Sequence, residues 1–457
     1  MKKTTMMMTM LSVMLAFSTA GCNSVSTDVS TSIAEEQAET NSGADTSADT
    51  AENSSTRETI TFNINPDNTN SETASSSEET SGTAVTTAYI ENGNSMIETA
   101  DLFSSRDLEQ SADLTDAQYL TVSDNDTINI TSAGIYVISG TAQECTIRIE
   151  AGEEDKVQLV LDGVNITNTD FPAIYVISAD KVFITTTSTE NTLTVSGTFR
   201  ADGDTNTDAV IYSKEDLVLN GTGTLNITSA SGNGITSKDD MKFTGGTYTV
   251  NAGKDAIEAN DSISVCGGTF TLNANKDGMH CENDESEGFI YIADGTFTIN
   301  SASDGIQATS VLQIDGGIFN IKSAEGLEAT CIQINGGTIY IEASDDGINA
   351  ANKSSAYSVT VEFNGGDTTI IMGQGDTDAV DANGSIYVNG GTIDITAPTS
   401  SFDYDMSAEY NGGTIIINGE QVSEIPQSMM GGGFGGGNFG GGFGGNHGGR
   451  GGFGNRT

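Results

Sequence analysis

Pairs of glycines recur along the middle of the chain at an interval of about 22 residues. This interval constrains the fold more than any other feature, because a fixed period of this length is typical of stacked structural repeats. The pairs are Gly245-Gly246, Gly267-Gly268, Gly316-Gly317, Gly336-Gly337, Gly365-Gly366, Gly390-Gly391 and Gly412-Gly413, with Asp294-Gly295 in the place of one pair. We therefore expect a solenoid and not a set of globular domains.

Short strands fill the interval between two glycine pairs. Each pair precedes an alternating apolar and polar run such as Thr296 to Ile299. An acidic turn, a second run such as Gly305 to Ala308 and a third such as Val311 to Ile314 then follow. No helical period appears in this part of the chain. Three strands per coil, stacked in parallel, predict an all-β fold, namely a right-handed, single-stranded parallel β-helix.

Stacked coils place equivalent residues in columns, and one of these columns is aromatic. Its members are Tyr248, Phe270, Phe297, Phe319 and Ile339. A second apolar set lies two residues later in the same strands, so the alternation directs both sets to the same side. We expect that side to be the core, and we prefer this to an exposed platform for sugar rings.

The charge of the chain excludes some classes of partner. Acidic residues outnumber basic ones 64 to 17, which gives a formal net charge of -47. Such a charge repels nucleic acid and anionic lipid but attracts divalent cations. Two histidines and no tryptophan leave little material for a histidine-based triad or a zinc site. Four cysteines after Cys22 lack zinc-type spacing, and we interpret them as small apolar core residues with no assigned thiol state.

The two ends of the chain differ from its middle. Residues 1–21 resemble an export signal, and Cys22 follows it as a candidate lipidation site. We expect 22–85 to be a disordered Ser, Thr and acidic linker, 86–425 the β-helix, and 426–457 a disordered Gly- and Phe-rich tail. The prediction is an exported monomer on the extracellular face of the cell membrane, which it contacts only through the lipid anchor.

The acidic turns form a second column. Its members are Asp208, Asn233, Asp255, Asp277, Asp304, Glu325, Asp346 and Asp378. Like charges one coil apart repel by roughly 1 kcal/mol per pair in water, so this repetition needs an explanation. Either each acid accepts hydrogen bonds from nearby turn amides, or the stacked carboxylates bind Ca²⁺, which prefers oxygen ligands.

A polar column runs beside the acidic one, three residues further along each coil. It comprises Glu258, His280, Gln307, Glu328, Asn349 and Asp381. With the turn acids, these residues favour a cation-binding groove. The pairs richest in charge are Asp255 with Glu258, Glu325 with Glu328, and Asp378 with Asp381. Two further acids near the last pair, Asp376 and Asp403, could add oxygens.

Two lysines occupy the same place in adjacent coils. Lys254 and Lys276 each come directly before a turn acid. They could form salt bridges with the neighbouring acids, or they could receive the carboxylate of a uronic acid. In a calcium-dependent lyase, either lysine could act as the base, which would demand a depressed pKa.

The chain resembles a known bacterial family. The likeness rests on the Gly-Gly-Thr-(Phe/Tyr) motif and on two upstream segments, Gly134 to Thr141 and Val157 to Val164, and it covers roughly Leu114 to Gly419. These features are similar to the carbohydrate-binding β-helix family that is related in fold to pectate lyases. The resemblance implies a Ca²⁺-carrying β-helix that binds acidic plant polysaccharide such as polygalacturonate, with neutral cellulose as a second candidate, and that does not cleave it.

Three function classes therefore remain open. A binding module would hold glycan through Ca²⁺, with Lys254, Lys276, His280, Gln307 and Asn349 as candidate substrate contacts. A calcium-dependent polysaccharide lyase would release unsaturated products. A surface adhesin or stalk would use the acidic column for rigidity alone. We favour the first class.

Overall fold

The structure is a computed structural model that describes residues 97–283, 287–375 and 377–427. The expected signal segment, Cys22, the linker to residue 85 and most of the tail lie outside these residues, so those predictions stay untested. The described part of the chain contains no helix with the length and apolarity needed to cross a bilayer.

Every regular element in the described residues is a strand. The first third of them comprises β1 (Gln118–Thr121), β2 (Thr127–Ile130), β3 (Gly134–Gln143), β4 (Thr146–Glu150), β5 (Lys156–Asn168), β6 (Ile174–Ser178), β7 (Lys181–Thr186), β8 (Glu190–Val195), β9 (Ala209–Ser213), β10 (Leu217–Gly221), β11 (Thr224–Ser229) and β12 (Asn233–Ser237). The second third comprises β13 (Asp240–Ala252), β14 (Ile257–Ala259), β15 (Ser262–Ala274), β16 (Met279–Cys281), β17 (Phe289–Ile292), β18 (Thr296–Ser301), β19 (Asp304–Ala308), β20 (Val311–Ile314), β21 (Ile318–Ser323), β22 (Glu325–Ala329) and β23 (Cys331–Ile334). The last third comprises β24 (Thr338–Ala343), β25 (Ile348–Ala350), β26 (Thr360–Phe363), β27 (Asp367–Met372), β28 (Asp378–Ala382), β29 (Ser385–Val388), β30 (Thr392–Thr396), β31 (Ser400–Tyr404), β32 (Ser407–Tyr410), β33 (Thr414–Ile417) and β34 (Glu420–Val422).

These strands form a parallel β-solenoid with three strands per coil, as the repeat predicts. One face is a twelve-stranded sheet, which contributes one strand to each coil: β2, β4, β6, β9, β12, β14, β16, β19, β22, β25, β28 and β31. The other two faces together make a 22-stranded sheet, because β3, β5, β13 and β15 run through the corner between them. Among the strand pairs of the described residues, β33 with β34 alone is antiparallel, and an isolated antiparallel bridge joins Asp202 and Thr205.

The glycine pairs mark the corner between the two faces of the larger sheet. The second glycine of each pair has a positive φ, for example 76° at Gly366 and 75° at Gly391. A Cβ on either residue would lie 2.6 Å from a carbonyl oxygen of the preceding coil. Glycine therefore allows both the left-handed backbone and the close approach of one corner to the next.

The core lies inside the solenoid and confirms the inward direction of the aromatic column. Phe270, Phe297 and Phe319 are at most 2% exposed. Their rings stack with centroid distances of 4.7 Å and 4.6 Å and interplanar angles of 4°. The four described cysteines are buried and form no disulfide among the described residues, in agreement with their interpretation as core residues.

The segment before β1 packs outside the solenoid, a feature that sequence patterns did not indicate. The Asp107 side chain is 1% exposed and lies 3.9 Å from Lys181 Nζ and 3.8 Å from Lys242 Nζ. The Arg106 guanidinium stacks 4.3 Å from the centre of the Phe183 ring. This segment, residues 97–117, therefore covers part of the face that contains β7, β10 and β13.

Candidate functional site

The acidic turn residues form a column along the twelve-stranded sheet. Asp304 and Glu325 are direct partners in the strand register. Other members are joined by backbone N–H groups that donate to Oδ1 of the preceding member: Asp255 to Asn233 (3.1 Å), Asp277 to Asp255 (2.9 Å), Asp304 to Asp277 (3.0 Å) and Asp378 to Asp346 (3.1 Å). The expected place of Asp208 in this column is wrong, because Ala209 lies opposite Asn233.

The polar column beside it is also in register. Successive partners are Glu258, His280, Gln307, Glu328, Asn349, Asp381 and Asp403. Two residues separate each turn acid from its partner, a small one and an apolar one that is buried, for example Gly305 and Ile306 between Asp304 and Gln307. Both columns therefore face outward on the same sheet, as their spacing in the sequence predicts.

Lys276 lies at the centre of a cluster of charged side chains on this face. Its Nζ lies 3.2 Å from Asp255 Oδ2 and 3.0 Å from Asp277 Oδ2. The ring of His280 is also close, with Nδ1 3.6 Å from Asp255 Oδ2. The positive charge of Lys276 therefore already offsets one of the two aspartate charges and occupies the space between them, which makes this group a poor place for a metal ion.

The electrostatics of this group argue against Lys276 as a base. Burial lowers the pKa of Lys276, but the charges of Asp255 and Asp277 outweigh it, and the pKa lies above its usual value. Burial raises the pKa of Asp255, but the hydrogen bond with His280 and the charge of Lys276 leave it below its usual value. Burial lowers the pKa of His280, and the hydrogen bond with Asp255 raises it more. The depressed lysine pKa that a lyase base requires is absent at Lys276.

The expected ligand pair of Asp255 with Glu258 does not form. Glu258 Oε2 accepts hydrogen bonds from Asn233 Nδ2, at 2.5 Å, and Thr236 Oγ1, at 2.9 Å, in the preceding coil. Asp255 instead faces Lys276 in the following coil. The Glu258 carboxylate therefore has its partners in the preceding coil, and the Asp255 carboxylate has its partner in the following coil.

Lys254 also has an acidic partner. Its Nζ lies 2.7 Å from Asp208 Oδ2, and the lysine side chain is 48% exposed. The salt-bridge interpretation of both lysines is therefore confirmed in this structure. A half-exposed pair such as this one contributes about 0–1 kcal/mol to the free energy of unfolding.

A second cluster of acids lies on the same face, and it has more negative charge for each positive charge beside it. Carboxylate oxygens of Asp304, Glu325 and Glu328 lie within 4.8 Å of one another. Asp304 and Glu328 are buried, with 7% and 8% exposure. Among the described residues, Lys353 is the one basic partner of this group, with its Nζ 2.7 Å from Glu328 Oε2. The expected pair of Glu325 with Glu328 is thus brought together, with Asp304 as a third member.

Amide side chains orient this carboxylate group. Gln307 Nε2 donates to Glu328 Oε2 at 2.7 Å, and Asn349 Nδ2 donates to Glu325 Oε2 at 2.9 Å. The Asn349 Oδ1 atom is buried and has no hydrogen-bond partner among the described residues. The two amides therefore position the acids, and the Asn349 oxygen remains available to accept a hydrogen bond or to ligate a cation.

Burial and mutual repulsion oppose the simultaneous ionisation of the three acids. Burial, followed by the charges of Asp277, Glu328 and Glu325, raises the pKa of Asp304 to about 8. Burial likewise raises the pKa of Glu325, with the charge of Glu328 adding to it and the Asn349 hydrogen bond opposing it. A proton or a cation must therefore accompany these carboxylates.

The last acids of the two columns, Asp346, Asp378, Asp381 and Asp403, also influence one another electrostatically. Burial raises the pKa of Asp346 to about 6, with Asp381 and Asp378 contributing. Burial raises the pKa of Asp381 to about 6 as well, and the charges of Asp378 and Asp403 add to it. The expected proximity of Asp403 is confirmed, whereas Asp376 lies outside the described residues.

Sequence patterns missed the continuation of the polar column into the first coils. Strand register extends it from Thr236 to Tyr212, Tyr175 and Arg148. Arg148 and Tyr175 line a polar cleft of about 260 Å³. The irregular spacing of these early coils hid the register, although the β6 and β9 sequences, Ile-Tyr-Val and Ile-Tyr-Ser, contain a matching tyrosine.

A third group of acids also escaped the sequence analysis. Asp216, Asp239 and Asp240 present carboxylate oxygens within 4.8 Å of one another at the corner before β10 and β13. Burial raises the pKa of Asp239 to about 6, and the charges of Asp216 and Asp240 add to it. Their sequence positions fall outside the glycine-aligned column, so spacing alone did not connect them.

The fold and this face define the class of protein: a parallel β-solenoid with stacked carboxylates along one sheet. The chain belongs to the family of carbohydrate-binding domain-containing proteins, whose model matches residues 124–379, more than half of the chain, and also residues 331–432. This confirms the resemblance to a carbohydrate-binding β-helix family that the sequence motifs indicated.

Two known proteins are similar to this chain. A carbohydrate-binding domain-containing protein from Acetivibrio thermocellus is 40% identical over 136 residues, which are 29% of this chain and 47% of that protein. The match thus spans about half the length of this relative. A solved structure of a polysaccharide lyase-like protein from C. thermocellum, a gadolinium derivative, covers 67% of this chain and 96% of its own, with 23% identity and a TM-score of 0.30.

Proposed function

We propose that this chain binds acidic polysaccharide of the polygalacturonate type through Ca²⁺, without cleaving it. The observation that carries the proposal is the Asp304, Glu325 and Glu328 group, three clustered carboxylates with one basic partner. Membership of a carbohydrate-binding family supports a glycan as the ligand.

The donor set of this group fits a hard divalent cation. All three side chains offer carboxylate oxygens, and the buried Asn349 Oδ1 lacks a partner among the described residues. Ca²⁺ takes six to eight oxygen ligands, whereas softer metals favour nitrogen or sulfur. Three negative charges beside one lysine leave a net charge that a divalent cation would balance.

The same face suits a chain of uronic acids. A bound Ca²⁺ would supply positive charge for a sugar carboxylate at Asp304 and its neighbours. Lys276 lies before the preceding member of the column and is 47% exposed, so a glycan laid along the columns would meet it next. Lys254, His280, Gln307 and Asn349 complete the proposed substrate contacts, although Gln307 and Asn349 act chiefly through the glutamates that they orient.

Two other functions use the same face differently. A stalk would need the cation only for stability, and a lyase would need a neutral lysine. The raised pKa of Lys276 disfavours the lyase. An exported monomer, anchored at Cys22 on the outer face of the membrane, stays part of this proposal, as does cellulose as an additional ligand.

Calorimetric titration of the full chain tests the proposal. Ca²⁺ is titrated first, and polygalacturonate is then titrated with Ca²⁺ or with EDTA. We expect Ca²⁺ binding and a glycan affinity that EDTA abolishes. The isosteric variant Glu325→Gln should weaken both by about tenfold or more, because it removes one charged ligand.

The matched control is Glu409→Gln, an exposed glutamate in β32 on another face, which should bind like the unaltered chain. Circular dichroism confirms that both variants keep their strands. Polygalacturonate binding that persists in EDTA would refute the calcium dependence. Absence of glycan binding in Ca²⁺ would leave the stalk as the better function. Unsaturated uronide products, detected by their ultraviolet absorbance, would establish the lyase.

A further inference from the structure

A long connection joins the larger sheet to the twelve-stranded sheet near the start of the solenoid. Residues 196–208 link β8 to β9, whereas the equivalent link between β13 and β14 comprises residues 253–256. We call residues 197–208 the flap. Two hydrogen bonds between the backbones of Asp202 and Thr205, at 3.0 Å and 2.9 Å, close its tip. The flap is therefore a folded insertion that leaves the solenoid at the corner of the turn acids.

Aromatic side chains hold the flap against the outer face of the twelve-stranded sheet. Tyr175 and Tyr212 belong to a small cluster outside the main core, and they are 1% and 4% exposed. The Tyr175 hydroxyl donates to Asp202 Oδ2 at 3.1 Å. The Arg200 guanidinium lies 4.1 Å from the centre of the Phe171 ring. The flap thus lies over the place where the polar column continues into the early coils.

The flap also reaches the first coil of the acidic columns. A Cβ on Gly232 would lie 2.7 Å from the Phe199 ring, so this ring packs against the turn that leads into Asn233. Asp208, the last residue of the flap, places its Oδ2 2.7 Å from Lys254 Nζ. These two contacts fix the flap directly beside the first members of the columns.

The column of turn acids stops at the flap. Asn233 is its first member, and Ala209 lies opposite Asn233 in the preceding coil. The acids that adjoin this end have partners of their own, since Asp170 pairs with Arg200 at 3.1 Å and Asp208 pairs with a lysine. A polyanion bridged by cations would therefore gain less beyond Asn233 than along the columns.

The tip of the flap carries negative charge. The flap contains three aspartates and one basic residue, Arg200, whose charge is offset by the ion pair with Asp170. Asp202 and Asp204 are exposed at the tip. Because like charges repel, a polyanion that crossed the tip would meet an electrostatic barrier as well as a steric one.

We propose that the flap closes one end of the acidic face, so that an acidic polysaccharide binds there by a chain end and not by an internal segment. This inference rests on the proposed function and adds selectivity for chain ends to it. The strands from β12 to β31 number eight, a run of roughly 34 Å at the spacing of parallel strands, so several sugar units can bind in front of the flap. At the flap, the half-exposed Lys254 can receive the carboxylate of a terminal uronate. A longer chain would have to rise over the tip and lose its contacts with the sheet.

Isothermal titration of the full chain in Ca²⁺, with polygalacturonate of two lengths, tests this inference. Both lengths are chosen to exceed the run from β12 to β31 several times over. If chain ends bind, the amount of bound protein follows the number of chains and not the amount of uronate. At equal uronate concentration, chains about ten times shorter should therefore saturate about tenfold more protein, whereas internal binding to a multivalent chain would give no change. Equal saturation at the two lengths would overturn the inference.

A shortened flap provides the second measurement. Two glycines can replace residues 201–206, because Arg200 and Thr207 already lie close, with Thr207 Oγ1 donating to the Arg200 carbonyl oxygen at 2.7 Å. This variant should bind internal segments too, so its saturation should no longer depend on chain length. Asn206→Ala changes an exposed side chain of the same tip and should bind like the unaltered chain.

Each outcome decides the inference. Circular dichroism shows whether the shortened variant keeps its strands; if it does, an unchanged dependence on chain length would overturn the role of the flap. Loss of that dependence in Asn206→Ala would also overturn it, because the tip is still present. If the shortened variant loses its strands, the two lengths titrated on the unaltered chain still decide. Absence of all glycan binding would refute the proposed function as well, whereas binding in Ca²⁺ with equal saturation at both lengths would refute chain-end selectivity alone.

Discussion

The backbone nitrogen of Asp277 lies 2.9 Å from Oδ1 of Asp255, so the carboxylate of one coil accepts a hydrogen bond from the backbone of the next. The same contact recurs between Asp304 and Asp277 at 3.0 Å. The acidic column is therefore a structural ladder as well as a source of charge. Oδ1 of each of these two carboxylates joins two coils, and Oδ2 of each lies near Lys276 Nζ.

This ladder predicts different effects for two substitutions of Asp277. Asp277→Ala leaves the buried N–H of Asp304 without an acceptor and should lower the free energy of unfolding by about 1–3 kcal/mol. Asp277→Asn keeps the Oδ1 acceptor and should cost less, as Asn233 already fills this role for Asp255. Urea unfolding of the two variants checks this, and equal losses would show that the ladder hydrogen bond is unimportant.

Stability should fall with rising pH in the absence of Ca²⁺. The pKa of Asp304 is raised by burial and neighbouring acids from 3.8 to about 8, so between these values the folded chain holds a proton that the unfolded chain releases. The free energy of unfolding therefore decreases as pH rises, by up to about 1.4 kcal/mol per pH unit for one proton.

Asp304→Asn provides the control for this pH dependence. It removes the titrating group, so the decrease between pH 6 and pH 8 should become shallower when unfolding is followed in EDTA. Below that range, Asp346 and Asp381, with pKa values raised to about 6, should still contribute a slope. A stability that is flat or that rises with pH in the unaltered chain would contradict the assignment.

The two lysines before the turn acids should contribute differently to the free energy of unfolding. Lys276→Ala leaves the buried Asp255 and Asp277 carboxylates uncompensated and should cost about 1–3 kcal/mol, a range reduced for the partial exposure of the lysine. Lys254→Ala breaks an exposed pair with Asp208 and should cost at most about 1 kcal/mol. Thermal unfolding of both variants measures the difference, and similar losses would mean that Asp255 and Asp277 do not depend on Lys276.

The stacked phenylalanines should contribute strongly to the core. Phe297→Ala removes a ring that contacts rings in both adjacent coils, at 4.7 Å and 4.6 Å between centroids, and should cost about 3–5 kcal/mol. Phe297→Leu fills more of the space and should cost less. A loss below about 1 kcal/mol for the alanine variant, measured by denaturant unfolding, would contradict its place in the core.

Much of the site was predictable because a solenoid converts sequence spacing directly into position. Glu325 and Glu328 were expected on one groove from their spacing alone, and the structure brings them together. Asp304 joins them because its strand is in register with that of Glu325. The predicted pairing of Asp255 with Glu258 was wrong, because the spacing of two residues does not determine which neighbouring coil each side chain contacts.

The order of residues alone determined the coil, its three strands, its glycine corners and the inward aromatic column, because each depends on local periodicity that repeats from coil to coil. Only the tertiary structure decided that Asp107 forms ion pairs with Lys181 and Lys242. It also decided that Lys276 contacts the acidic group of the preceding coils, whereas Lys353 is the described basic partner of the group formed by Asp304, Glu325 and Glu328. These contacts depend on side-chain direction and on residues far apart in the chain, and they are set by burial and charge in three dimensions.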